Sequence, residues 1–401
     1  MTCESPRFAV SRPRRRRNQR GQRDPRKAAE SNPPLALSDK AAAADWTRRT
    51  DATVSIVIAG EGGTETGSTV ARAVLPPLLI HIGYPKTASS WLQRHVFGDP
   101  ATGFGWLVTN GDSPERPHRD SPVRQLFNLS PFDFDTAALR EEFSRLIGSV
   151  EAKNLVPVIS LERLSGSPFS GGHDSALIAE RLVRLFPEAK VLVVIREQGS
   201  MIVSAYKQYV KVGGALSLAR FIAPPHSSWA HVPWFELSYF EYDRLLRHYS
   251  ELFGPERLLV LAYDEFVEDP TAFVAKIARF AGLPIGAEQF DSLPFDRTRK
   301  QSRSSAAIAV RRRLNRLAVR AEVNPAPLIE ARIARRAVRW ATRDKFVDRL
   351  VDAVLPGPVH ERCDSKLRRV AATAVGDRYR ESNRATSELT GIDLSSYGWT
   401  T

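Results

Sequence analysis

The sequence predicts an α/β protein: a central parallel sheet flanked by helices, with additional helices at the C-terminal end. Three observations predict it. From Leu75 onward, compact apolar runs alternate with amphipathic stretches, the rhythm of strand–helix–strand units. The runs "PLLIHI" (77–82), "VPVIS" (156–160), "VLVVI" (191–195) and "LLVLAY" (258–263) are almost continuously apolar, as strands covered on both faces must be. Helical periodicity links them, over 87–97 after the first run, about 174–186 before the third, 200–212 after the third and 271–282 after the fourth.

The elements follow in order from the N-terminus. Residues 1–72 hold "SRPRRRRNQRGQRDPRK", then Ala-, Ser- and Pro-rich sequence, then "GEGGTETGST", with only "TVSIVIAG" resembling a strand. Such a composition buries too little apolar area to offset chain entropy, so a disordered basic N-terminal tail is expected. The folded domain then spans 73–401, with a core at 75–320 and C-terminal helices at 321–401. Within it, "FELSYFEYDRLLRHYSELFG" (235–254) reads as a helix stopped by Gly254, and 305–321 and 327–354 read as long basic helices.

The totals limit the function classes. In 401 residues there are two cysteines, Cys3 and Cys363, with neither a CxxC pair nor a disulfide framework around them. That fits a reducing compartment and excludes a cysteine zinc site. No apolar run approaches the roughly 18 residues that cross a bilayer, and the first residues carry no secretory signal. A cytoplasmic protein is expected. A formal charge of +13 favours anionic partners such as nucleotides, nucleic acid, acidic glycans or lipid head groups.

The first corner carries the chemistry. A strand ending at Ile82 that feeds a helix near Thr87 places "GYPKTASS" at the carboxyl end of the sheet, where open α/β folds bind ligands. Free N–H groups at the helix start, Lys86, and the hydroxyls of Thr87, Ser89 and Ser90 suit a phosphate or sulfate. The same residues also fit a Pro-initiated turn with a solvent-facing lysine and a Ser/Thr cap. GxxxxGK[ST] spacing is absent, which argues against a nucleoside triphosphate loop. A second anion site lies in "VLVVIREQGSMIVSAYKQYVK", where Arg196 follows a buried strand and Ser204 stands eight residues on. An arginine fork with a helix hydroxyl grips phosphate oxygens; an Arg196 pair with Glu197 and a solvated Ser204 is the alternative.

"IGYPKTASSWLQ" resembles the 5′-phosphosulfate loop of the sulfotransferases that use 3′-phosphoadenosine 5′-phosphosulfate (PAPS). "VIREQGSMIVSAYKQYV" resembles their 3′-phosphate motif, with Arg and Ser in the same spacing. "RLLVLAYDEFVEDPTAFVAKIARFAGL" (257–283) looks like the end of the family core, and "RTRKQSRSS" (297–305) is similar in placement to the basic loop that closes over the nucleotide. The likeness covers about 75–320 and identifies the chain as a bacterial-type member with a P-loop-like fold. Ala88 departs from the usual Gly, which implies a backbone that an L-residue tolerates or altered phosphate contacts. Glu197, Gln198 and Gln301 also differ from the common pattern.

The resemblance implies sulfuryl transfer from PAPS to a hydroxyl or amine of an acceptor, by in-line displacement and with no metal required. It gives Lys86 the bridging oxygen, and Thr87, Ala88, Ser89, Ser90 and Trp91 the 5′ side of the nucleotide. Arg196 and Ser204 take the 3′-phosphate, with Arg299, Lys300 and Gln301 in the closing loop. Glu162, just past "VPVIS", matches the strand-end glutamate that serves as base; His173 in "SGGHDS" is its rival, and His81 reads as a buried structural histidine. "TGFGWLVTNGDSPERPHRD" and "FIAPPHSSWAHVPWFELSYF" are the candidate acceptor-pocket segments. The acceptor is a carbohydrate, a glycolipid or other lipid, or a small metabolite; peripheral membrane contact is compatible with the basic helices. Two other readings exist. A nucleic-acid-binding protein acting through the tail lacks interleaved aromatics and any helix-turn-helix, zinc or RNP pattern. A P-loop kinase of a small molecule lacks the lysine spacing.

Overall fold

The structure is a computed structural model that describes residues 78–107, 121–223, 235–284, 286, 290–295, 304–319, 321, 323–324, 327–329 and 346–401. The chain divides into Met1–Ala71 and Arg72–Thr401; the described residues all lie in the second unit, and the expected basic tail lies outside them.

Five strands form one parallel sheet: β1 Leu79–His81, β2 Phe104–Trp106, β3 Val156–Ser160, β4 Lys190–Ile195 and β5 Leu258–Ala262. Their spatial order is β2-β3-β1-β4-β5, and Ile80 lies opposite both Ile159 and Val191. β2 was not expected. It is three residues long, too short for a periodicity signal, and Gly105 is needed because a Cβ there would lie 2.3 Å from Val150 Cγ1.

The first helices are α1 Ser89–Leu92, α2 Pro122–Asn128, α3 Thr136–Glu151, α4 Ser175–Leu185, α5 Gln198–Lys211, α6 Leu218–Ile222 and α7 Tyr242–Phe253. There follow α8 Tyr263–Glu268, α9 Pro270–Ala281, α10 Ser305–Ala318, α11 Phe346–Val354, α12 Gly357–Val375 and α13 Arg380–Thr390. α1 continues as a π-helical turn, Gln93–Phe97. The helix expected over 235–254 begins only at Tyr242. Leu237–Phe240 is a 3-10 turn that buries Tyr239 and Phe240 at adjacent positions, which a continuous α-helix would point apart. Much of 327–354 lies outside the described residues.

Period-two alternation sorts the strands between two apolar layers. Ile80, Ile82, Ile159, Val191, Val193 and Ile195 pack with α3, α4, α5 and α7; Leu79, Val158, Leu192 and Val194 pack with α1, α8 and α9. Nearly all of these side chains are fully buried, each contributing about 1.5–3 kcal/mol of transfer free energy. Because all five strands are parallel, Ile82, Leu161 and Arg196 leave the same edge of the sheet. The connections there diverge on either side of β1, as at the ligand-binding edge of open α/β sheets. Among the described residues no helix is long and apolar enough to cross a membrane.

Candidate active site

The corner after β1 is held from below. His81 is fully buried, its Nδ1 lies 2.7 Å from Ser160 Oγ, and burial lowers its pKa to about 3, so it is neutral and structural, as expected. Gln93 Nε2 donates to Ser160 O at 3.2 Å and Oγ at 3.1 Å. Gly83 is required because a Cβ would meet His81 Nε2 at 2.5 Å.

The loop then takes an unusual path. Lys86 has φ 71° and Ala88 φ 63°, both in the left-handed region, which costs an L-residue about 1–2 kcal/mol. Ala88 therefore keeps the backbone that glycine adopts freely, with strain in place of freedom. Thr87 is fully buried and its hydroxyl donates to Tyr84 O at 2.6 Å; Ser89 is buried beside it, at 3.4 Å between hydroxyl oxygens. Those two hydroxyls shape the loop, while Ser90 is half-buried and Lys86 is exposed. No side chain caps α1, so the expected alternative of a Ser/Thr cap is not what the corner builds. Trp91 is buried, stacked on Phe295 with centroids 5.0 Å apart, and its Nε1 donates to Pro294 O at 3.4 Å.

Arg196, from the second candidate anion motif, reaches this loop. Its Nη1 donates to Lys86 O at 3.0 Å, and its guanidinium lies 4.7 Å from the centroid of the Tyr263 ring. Glu197 does not pair with it; the carboxylate caps α5 by accepting from Gly199 N and Ser200 N, both at 2.6 Å. Ser204 is half-exposed on α5.

Glu162 is half-buried at the start of the 3-10 turn after β3, one residue beyond Leu161, whose N–H donates to His81 O at 3.2 Å. Arg163 pairs with Asp174. His173 is exposed on the loop before α4, next to Gly172, where a Cβ would lie 2.3 Å from the Tyr239 ring. Arg299, Lys300 and Gln301 lie outside the described residues, as do most of the two acceptor-pocket segments.

Sequence reasoning missed a tyrosine floor and a C-terminal brace. Tyr84 packs edge-on against Tyr239 and Tyr242, with centroids 5.1 and 4.7 Å away, and Tyr242 Oη donates to Arg196 O at 2.6 Å. Burial raises the pKa of all three, so they stay neutral. The signal was present in "GYPK" and "SYFEYD", but no periodicity joins them. The brace comes from the far end of the chain. Gln198 Nε2 donates to Asn383 Oδ1 at 2.6 Å, Asn383 Nδ2 to Thr400 O at 2.8 Å, and Trp399 Nε1 to Asp264 Oδ2 at 3.2 Å.

Residues 174–287, which carry β4, Arg196, α5 with Ser204, and β5, match the family model described as "Sulfotransferase family". This segment of the chain is similar to the sulfotransferase family. No curated protein matches it. Among solved structures, the chain is similar to a sulfotransferase from Alicyclobacillus acidocaldarius, at 20% identity over 55% of this chain and 85% of that one, with a TM-score of 0.37. The sulfotransferase domain from the curacin biosynthetic pathway matches at 13% identity over 54% of this chain and 77% of its own, TM-score 0.32. Mouse sulfotransferase SULT7A1, a structure complexed with PAP, matches at 13% identity over 78% and 89%, TM-score 0.29.

Proposed function

We propose that the protein is a sulfotransferase that uses PAPS as donor and transfers its sulfuryl group to a hydroxyl or amine of an acceptor. One observation carries the reading: the 3.0 Å bond from Arg196 to the Lys86 carbonyl ties two anion-binding elements on neighbouring strands into one unit. The donor set fits a nucleotide that is anionic at both ends. Lys86 is exposed at one end, and Arg196, with Ser204 on the helix behind it, lies at the other.

Bound there, PAPS supplies an activated sulfuryl group on a phosphate leaving group. Lys86 neutralises charge that builds on the bridging oxygen, the step that electrostatic preorganisation accelerates most. Ser90 and the N–H groups at the start of α1 hold the 5′ side, and Arg196 with Ser204 holds the 3′-phosphate. Glu162 takes the acceptor proton as the new bond to sulfur forms, a role that requires reach to the attacking group. Trp91 shapes the wall behind the loop.

Thermal denaturation with adenosine 3′,5′-bisphosphate (PAP), set against ATP with magnesium, tests this reading. A rise in Tm with PAP is expected, and stabilisation by ATP–magnesium alone would overturn the assignment in favour of a kinase.

A further inference from the structure

The segment after α13 is shaped around one side chain. Asp393 accepts from Ser395 N at 3.0 Å and opens the 3-10 turn Leu394–Tyr397. Gly398 then takes a left-handed φ of 76°, a reversal that glycine makes without strain, and Trp399 N returns to Leu394 O at 3.2 Å. Past that reversal the Trp399 indole is buried, with 4% of the residue exposed.

Trp399 meets two of the elements that hold Arg196. Its ring lies 6.0 Å, centroid to centroid, from that of Tyr242, whose hydroxyl donates to the Arg196 carbonyl at 2.6 Å. Its Nε1 donates to Asp264 Oδ2 at 3.2 Å. Asp264 stands beside Tyr263 at the start of α8, and the Arg196 guanidinium lies over the Tyr263 ring, 4.7 Å from its centroid. One indole therefore bears on Arg196 both through its backbone and through its guanidinium. An indole N–H can only donate, and a buried donor needs its acceptor, so the bond fixes the first turn of α8 as firmly as it fixes Trp399. The same segment is anchored close by: Asn383 Nδ2 donates to Thr400 O at 2.8 Å and Asn383 Oδ1 accepts from Gln198 Nε2 at 2.6 Å, two residues past Arg196.

The geometry points to Trp399 as a positioning residue for Arg196, holding Tyr242 and the first turn of α8 so that the guanidinium is aimed at the donor's 3′-phosphate. This rests on the reading of the chain as PAPS-dependent. An arginine fork binds phosphate well only in a fixed orientation, and Arg196 owes part of its orientation to Tyr242 and Tyr263. Discrimination for the 3′-phosphate then depends on a residue that lies more than a hundred positions beyond the matched segment 174–287.

Calorimetric titration with PAP and with adenosine 5′-phosphate, which lacks the 3′-phosphate, tests this. Trp399→Phe keeps a ring against Tyr242 and removes the donor to Asp264. It is expected to weaken PAP binding about 3- to 10-fold, the worth of one hydrogen bond, with a smaller loss for adenosine 5′-phosphate. Trp399→Ala removes both contacts and is expected to weaken PAP binding further. The deciding measurement is a double-mutant cycle of Trp399→Phe with Arg196→Ala, because a residue that acts through Arg196 costs little more once the guanidinium is gone. Equal losses for the two nucleotides in Trp399→Phe, no loss for PAP, or the same PAP loss in the wild-type and Arg196→Ala backgrounds would overturn the positioning role alone. A wild-type protein that does not prefer PAP to adenosine 5′-phosphate would instead overturn the underlying reading, and this inference with it.

Discussion

Replacing Arg196 by lysine keeps the charge and removes the geometry. The guanidinium spans two fixed partners, the Lys86 carbonyl at 3.0 Å and the Tyr263 ring at 4.7 Å, and a single ammonium cannot satisfy both while reaching a phosphate. A charged donor on a carbonyl contributes about 1–2 kcal/mol when partly exposed, and stacking on the ring about 0.5–1 kcal/mol more. Their sum, about 2 kcal/mol, corresponds to roughly thirtyfold in PAP affinity. The loss is expected to show in binding because the Lys86 carbonyl belongs to a loop with two left-handed L-residues, whose strain the Arg196 bond offsets. Titration calorimetry of Arg196→Lys and Arg196→Ala with PAP measures it. If Arg196→Lys binds PAP like the wild type while Arg196→Ala fails, charge alone matters and the carbonyl bond does not organise the loop.

Four further outcomes are expected. Lys86→Ala should bind PAP with modest loss and lose nearly all transfer of radiolabelled sulfate; near-normal turnover would remove Lys86 from the chemistry. Glu162→Gln should cut turnover by about a hundredfold or more, in line with general-base loss, with PAP binding intact; full activity would shift the proton acceptor to His173. Ala88→Gly trades about 1–2 kcal/mol of left-handed strain against about 0.4–1 kcal/mol of unfolded-chain entropy, so Tm should rise by up to a few degrees; a fall would show that the Ala88 methyl packs better than it strains. His81, with a folded pKa near 3 against 6.5 unfolded, binds a proton only on unfolding. Its contribution is complete above pH 6.5 and declines as pH falls from there toward 3. His81→Gln should flatten that part of the stability profile in denaturant titrations, and an unchanged slope would refute the assignment.

Much of this was legible because the central strands are short and apolar on both faces. "VPVIS" coincides with β3, and the other three central runs fall within a residue or two of β1, β4 and β5. β2 escaped because three residues, one of them a glycine under Val150, leave no pattern. The two candidate anion motifs were proposed from residue type and spacing, but the bond between them was not legible. Arg196 and Lys86 are separated by 110 residues, and only the order of β1 and β4 in the sheet makes them meet. The local partners of Thr87 and Ser89 were not legible for a related reason. A hydroxyl in an anion loop reads the same whether it faces a ligand or, like Thr87, a carbonyl of its own turn.

The Gln198–Asn383 bond joins residues 185 positions apart, and this has a consequence for synthesis. A ribosome adds about 5–20 residues per second, so the turn that holds Arg196 emerges roughly 10 to 40 s before Asn383 and the Trp399–Thr400 contacts exist to fix it. During that interval Gln198, buried in the finished protein, lacks its Asn383 partner. A chain interrupted just before its last helix, α13, carries every nucleotide-contacting residue proposed above and still lacks this brace. The proposed donor site gains its brace only at the end of translation, long after its own residues have been made.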